Sequence, residues 1–444
     1  MSSQGTELRE ADGVRDDRAL ARRGAQLVRR AAASGAPPLI ISIIAVQGFS
    51  ALAQLVVARV VAPADFGIVR AVEVVITMLL LIASVGMPSL AIRDVALATE
   101  EERPLVLGRL VALAAMTSVV VALVAIVGAP LLVPPVARPY LRAMAAAVCL
   151  TASSRTAMNY FQGVQRVSVL AKLSAISSTV AFLAFVLLVH WLGMRGWVIG
   201  RYVGELSLLL FTLIVLGRRI SFAGVFEDMG ALWRTWKRGM VISASFVVRT
   251  VHENSPTLAL TWFGAVQQVG FYGLAALLLT PLLLLPSVIG NLAVPRFALL
   301  MRQPHHLQRD VTRLSILTTA VAALGALFAV LVVPAVITRF FPSYAPALAL
   351  LGILVLCVPL RALNGMIGSF LMAYDRNDAG LVINGISLAI AFGGCLLLIP
   401  TRGAKGAAIA ILIADCCSAA MWVTVAQRFL RAIPVPDSSV AVNG

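Results

Sequence analysis

The chain has 444 residues, 60% of them hydrophobic and 13% charged, with mean hydropathy +0.94 and a formal net charge of +16. A soluble domain carries nearly twice that charged fraction, so a water-soluble globule is excluded. The basic excess comes without a basic-aromatic module, which argues against a nucleic-acid partner.

Residues 1–37 are polar and arginine-rich, with no short apolar core before a small-residue cleavage site, and read as a basic, disordered cytoplasmic tail. Apolar stretches follow at 38–60, 68–92, 110–132, 141–162, 169–189 and 197–216, then at 239–261, 270–295, 314–335, 346–372, 380–399 and 407–428. A bilayer core about 30 Å thick takes roughly 20 helical residues to cross, so each stretch can span it. The expectation is an all-α polytopic membrane protein of about 12 transmembrane helices. Residues 217–238 divide the stretches into an N-lobe (38–216) and a C-lobe (239–428), each of six spans, and 429–444 form a second cytoplasmic tail. Trp233 and Trp236 sit among Arg and Lys in 217–238, which reads as an amphipathic interfacial linker or as a plain basic tether.

Shifting the first half by 203 residues places Gly67 on Gly270, Ser84-Val85 on Ser287-Val288 and Arg93 on Arg296. Six spans per copy make the repeats parallel, giving two pseudo-symmetric lobes around a central cavity. With an inner N-terminus, 24 Lys/Arg fall on inner segments and eight on or beside outer joints, so both termini are expected in the cytoplasm. Cys149, Cys357, Cys395, Cys416 and Cys417 all lie in apolar spans without metal-ligand spacing, and no metal or other cofactor is expected. There is no phosphate-cradling Gly-rich loop before a Lys, no HExxH and no nucleophile elbow, so the chain reads as a non-enzyme.

Charges inside the spans are the candidate functional groups, because an ionisable side chain at bilayer depth costs at least about 2.5–3.5 kcal/mol and faces a cavity or a partner. Arg201 and Glu205 lie four residues apart in span six; Arg249 and Glu253 repeat the spacing in span seven, so each pair shares a helix face. Such a pair either neutralises itself or lines a cleft in which the carboxylate takes a proton or cation and the Arg meets an anion. Arg155 and Arg361 lack a carboxylate one turn away, which favours an anion-attracting cavity over snorkelling. Asp415, mid-span beside Cys416, reads as a coupling-ion or proton site or as a salt-bridge partner of an Arg on another span. His252, in the run HEN (252–254), could titrate beside Glu253.

The segment ARVVAPADFG (58–67) resembles the first loop of Wzx-like bacterial polysaccharide flippases. VGFYGLAALLLTPLLLLPSVIGNLAVPRF (269–297) is similar to their eighth span, and SYAPALALLGILVL (343–356), FLMAYDRNDAG (370–380) and LIPTRGAKGAAIA (398–410) look like their C-terminal lobe. The resemblance covers nearly all of 38–428. It implies the multidrug/oligosaccharidyl-lipid/polysaccharide exporter superfamily, with two six-helix lobes alternating between inward and outward openings. It implies a multi-pass protein of the bacterial cytoplasmic membrane that moves undecaprenyl-diphosphate-linked oligosaccharide units to the outer leaflet without ATP, for surface or exopolysaccharide synthesis. Lipid-linked oligosaccharide and membrane lipids are then the expected partners, with polysaccharide polymerase and export proteins as further candidates. The motif arginine maps to Arg59, a position that matters in related peptidoglycan-precursor flippases. The expected cationic site is Arg59, Arg155, Arg201, Arg249 and Arg361, with Glu205, Glu253 or Asp415 resetting the cycle. Alternatives are a multidrug exporter of the same superfamily, disfavoured by four embedded arginines, and a membrane glycan ligase or polymerase, disfavoured by outer joints too short to bind an acceptor. Replacing Arg249 or Arg361 by Ala is expected to abolish glycan export with the protein retained.

Overall fold

A computed structural model describes residues 36–432, apart from 218, 224, 226, 301–303 and 375–376. Of the expected tails at 1–37 and 429–444, residues 36–37 and 429–432 are helical, and the remainder lie outside the described residues. The described chain makes twelve helical passes, α1 to α12, and is all-α as expected. α1 is Ala36–Val60, and α2 runs Pro63–Ser84, breaks, and continues as Met87–Leu97. α3 is Arg103–Leu132; α4 is Arg138–Met158, followed by one turn at Tyr160–Gly163; α5 is Val167–Leu192 and α6 is Met194–Leu216. α7 is Met229–Trp262, and α8 runs Val266–Leu279 and Leu284–Leu300 around a 3-10 turn at Thr280–Leu283. α9 is Pro304–Phe340, and α10 comprises Ala347–Leu354 and Cys357–Ala373. Asn377–Ala432 turns at Gly403 (φ 56°), giving α11 (377–402) and α12 (404–432).

Eight helical segments are apolar and long enough to cross a membrane by composition alone, the last of them holding both α11 and α12. α4 and α7 fall short of that standard because they carry the embedded polar residues: Ser, Thr and Arg155 on α4; Arg249, His252 and Glu253 on α7. Their apolar deficit marks them as interior helices of the bundle. Twelve passes put the start of α1 and the end of α12 on one face, called here the termini face. The expected linker 217–238 is divided: Met229 already begins α7, so Trp233 and Trp236 lie on that helix. Their rings stack 4.9 Å apart, with the Lys237 ammonium over Trp233.

The halves meet along two seams, both involving α2. Away from the termini face, α2 lies on α8 at so short a distance that a Cβ on Gly67 would meet the Val266 carbonyl oxygen at 1.9 Å, and one on Gly270 the Pro63 oxygen at 2.0 Å. These four residues are two pairs related by the shift of 203, so the closest approach falls on the repeat axis. Nearer the termini face the break in α2 rests on α7, where a Cβ on Gly239 would meet the Val85 oxygen at 2.0 Å. Val85 (φ 45°) and Gly86 (φ 66°) make that break in left-handed conformation, which a β-branched residue adopts only under constraint. Carbonyls released there find neighbours: Ser243 Oγ donates to Leu81 O at 2.6 Å, Thr117 Oγ1 to Ala83 O, and Asn159 Nδ2 to Pro88 O at 3.0 Å. Backbone at membrane depth is tolerated when surrounding helices satisfy it in this way.

Buried apolar residues follow the same plan. One large core runs through both halves, whereas two smaller ones near the termini face each belong to one half: Leu107, Phe161 and Leu170 in the first, Phe297, Phe370 and Trp422 in the second. α1 touches α8 through Val266–Leu283. The halves are therefore joined through α2 at both levels, while each smaller core stays within one half.

Candidate functional site

Two hairpins position the embedded acids. α5 joins α6 through Gly193 (φ 55°), and α11 joins α12 through Gly403 (φ 56°); both glycines need the left-handed region. Three residues on, Gly196 lies on the Leu188 carbonyl and Gly406 on the Leu398 carbonyl, approaches that leave no room for a Cβ. The sequences are GMRG (193–196) and GAKG (403–406), related by 210 residues. Carried along the helices, that relation superimposes Glu205 on Asp415. Each acid stands 12 residues past its turn, about 18 Å deep at 1.5 Å per residue. This second repeat was readable in the sequence but carries a different offset from the first, so a single shift of 203 misses it.

In each half the fourth helix brings an arginine toward the acid of the sixth, but the pairings differ. On the C-terminal side Arg361 Nε of α10 donates to Asp415 Oδ2 of α12 at 2.8 Å. The Asp415 side chain is 2% exposed, and His252 Nε2 of α7 lies 4.0 Å from its other oxygen. Asp415 thus pairs with an Arg of another span, and His252 faces Asp415 as well as standing beside Glu253. On the N-terminal side Glu205 is taken by Arg201 of its own helix, at 3.0 Å. Arg155 of α4 lies within electrostatic reach of both and forms no ion pair among the described residues. Its side chain is accessible on the surface of the bundle, although the residue lies within a bundle helix. Long helical side chains lean toward the helix N-terminus, here away from the termini face, and Arg155 is coupled electrostatically to Glu205 and Arg201.

Arg249 Nε donates to Glu253 Oε1 at 2.9 Å, both exposed on α7. They stand within electrostatic reach of His252, beside the Arg361–Asp415 pair. Exposed charges at this depth in a membrane helix must look onto water or polar headgroups, since lipid tails offer neither. Arg59 stands apart from all of these. It ends α1 on the far face, exposed, with its guanidinium 5.6 Å from the Phe340 ring centre. Sequence reasoning also missed Arg70, which donates to Gln54 Oε1 at 2.6 Å and lies across Gly273, its own repeat partner at 203 residues. All five cysteines are free thiols.

Two six-helix halves joined along α2, with ion pairs held within and between their helices, make up the membrane bundle. The chain superposes on a multidrug resistance MATE family transporter of the MOP superfamily in an inward-facing conformation, with a TM-score of 0.72 and 12% identity over 88% of this chain and 98% of that one. Against the lipid II flippase MurJ in an inward closed conformation the TM-score is 0.70, at 11% identity over 89% of each chain. Residues 34–301 match the polysaccharide biosynthesis protein family, and the chain belongs to that family. It is 25% identical over 236 residues to the amylovoran biosynthesis protein AmsL of Erwinia amylovora, a match covering 52% of this chain and 60% of that relative. The family match thus gives the kinship, and the two solved transporters share its fold.

Proposed function

We propose that the protein flips undecaprenyl-diphosphate-linked oligosaccharide units across the bacterial cytoplasmic membrane, without ATP, by rocking its two halves about the α2 seams. The termini face is the cytoplasmic one in this reading, as the Lys/Arg excess there expects. Arg155 carries the proposal. It is an exposed cation beside an acid that another arginine already neutralises, so the cluster of Arg155, Arg201 and Glu205 has one positive charge to spare. A diphosphate supplies the missing anion, and a cleft open to lipid lets the polyprenyl tail remain in the bilayer. Arg249 offers a second exposed guanidinium in the other half, available to phosphate where it parts from Glu253. The superfamily alternative, export of cationic drugs, requires a spare negative charge, and the described clusters have none.

Transfer of labelled undecaprenyl-diphosphate oligosaccharide between leaflets of proteoliposomes tests this reading. An arginine–phosphate contact contributes about 1.5–3 kcal/mol, so Arg155→Ala is expected to slow transfer by roughly 10- to 100-fold with protein yield retained. Arg155→Lys should recover part of the rate. Wild-type transfer by Arg155→Ala, or transport of a cationic dye by the unmodified protein, would overturn the proposal. Arg249→Ala gives a parallel expectation: its exposed pair adds less than about 1 kcal/mol to stability, so lost transfer with intact folding would place it on the substrate path.

A further inference from the structure

We infer that the groove between α9 and α12 near the termini face is a binding site for an anionic phospholipid of the adjoining leaflet. α9 and α12 form its walls and α10 its floor, with Ser315, Thr319 and Ala323 on one wall, Ala426 and Leu430 on the other, and Ile367 beneath. It encloses about 510 Å³. Toward the termini face the same side of α9 continues into a second concavity lined by Gln308, Arg309, Thr312, Arg313 and Ile316. Arg309 and Arg313 are exposed and have no ion-pair partner among the described residues. Arg431, one turn beyond Gln427 on α12, adds a third exposed cation at the mouth.

Three features select the occupant. The mouth is cationic and the interior apolar, the polarity of a lipid with a phosphate headgroup; basic pockets between helices at a membrane face take anionic headgroups. From Arg313 to Ala323 is ten residues, about 15 Å along a helix, which equals half of a 30 Å hydrocarbon core and so the depth of one leaflet. Finally, Ser315 Oγ and Thr319 Oγ1 are buried and lack a hydrogen-bond partner, whereas the neighbouring Thr318 donates to Leu314 O at 2.7 Å. Two unspent donors on the wall, one turn apart, suit the ester carbonyls below a lipid headgroup. A second copy of the chain would leave the arginines facing like charge.

Native mass spectrometry of the full chain, titrated with phosphatidylglycerol or phosphatidylcholine, tests the site independently of flipping. Phosphatidylglycerol is expected to remain bound at least tenfold more than phosphatidylcholine. Arg309→Ala with Arg313→Ala should remove that preference, whereas Arg309→Lys with Arg313→Lys should keep it. Ala320→Leu with Ala323→Trp should abolish binding with both arginines present, because the side chains fill the groove. Arg234→Ala with Lys237→Ala, on the same face outside the groove, should change it less than twofold. Equal retention of the two lipids, unaltered binding in the groove-filled protein, or a dimer in place of lipid adducts would overturn the inference.

Discussion

Arg361→Ala is expected to destabilise the protein by about 3–5 kcal/mol, because it leaves the carboxylate of Asp415 buried without its counter-charge. That side chain is 2% exposed and receives the Arg361 Nε–H at 2.8 Å. Replacing both partners, Arg361→Met with Asp415→Leu, should recover most of the loss, since an apolar pair of similar volume needs no desolvation of charge. Thermal unfolding of the purified single and double variants in detergent gives the coupling. Equal melting of wild type and Arg361→Ala, or a double variant no better than the single one, would show that the pair does not hold the half together. The pairing revises what loss of export in Arg361→Ala means. A fall in protein level accompanies it, so that variant alone cannot report on substrate contact. Arg155 and Arg249 are the cleaner probes, one unpaired among the described residues and the other in an exposed pair.

The second large effect belongs to the glycines at the far seam. Gly67→Leu places a side chain where the Val266 oxygen would lie 1.9 Å from its Cβ. Ordinary non-bonded separation is about 3.5 Å, so α2 and α8 must part by roughly 1.5 Å or more. The arrangement with this close contact then becomes the disfavoured one, and a transporter that must pass through it stalls. Transfer is expected to fall more than tenfold. Spin labels at Ala64→Cys and Gln267→Cys, themselves repeat partners and introduced after replacing the native cysteines, should show a longer distance in Gly67→Leu. Gly270→Leu, with its Cβ 2.0 Å from the Pro63 oxygen, should do the same from the other side. An unchanged distance with normal transfer would mean that the seam is not a moving contact.

Much of this was legible in the sequence because the bilayer imposes its own arithmetic. Apolar runs of span length and short polar joints sufficed for twelve passes, and 203 residues of offset pointed to Gly67 and Gly270 before their contact was known. The likeness to polysaccharide flippases rested on motifs scattered in order along the chain, and the family match over 34–301 agrees with it. The embedded charges were legible as a set but not in their partnerships. Arg201 with Glu205 and Arg249 with Glu253 could be paired from spacing, since helical geometry alone places residues four apart on one face.

Which charge remained unspent could not be read that way. Arg361 meets Asp415 from 54 positions away, and Arg155 is left over only because Glu205 faces its own helix. Those outcomes depend on how α4, α6, α7, α10 and α12 rotate against one another. Arg59, assigned with the others through its motif, proved to end α1 against Phe340 at the far face. Membrane thickness and local helix geometry act along the chain and therefore leave their mark in residue order. Compensation of buried charge acts between helices, through distances of a few ångströms that only the packed bundle sets.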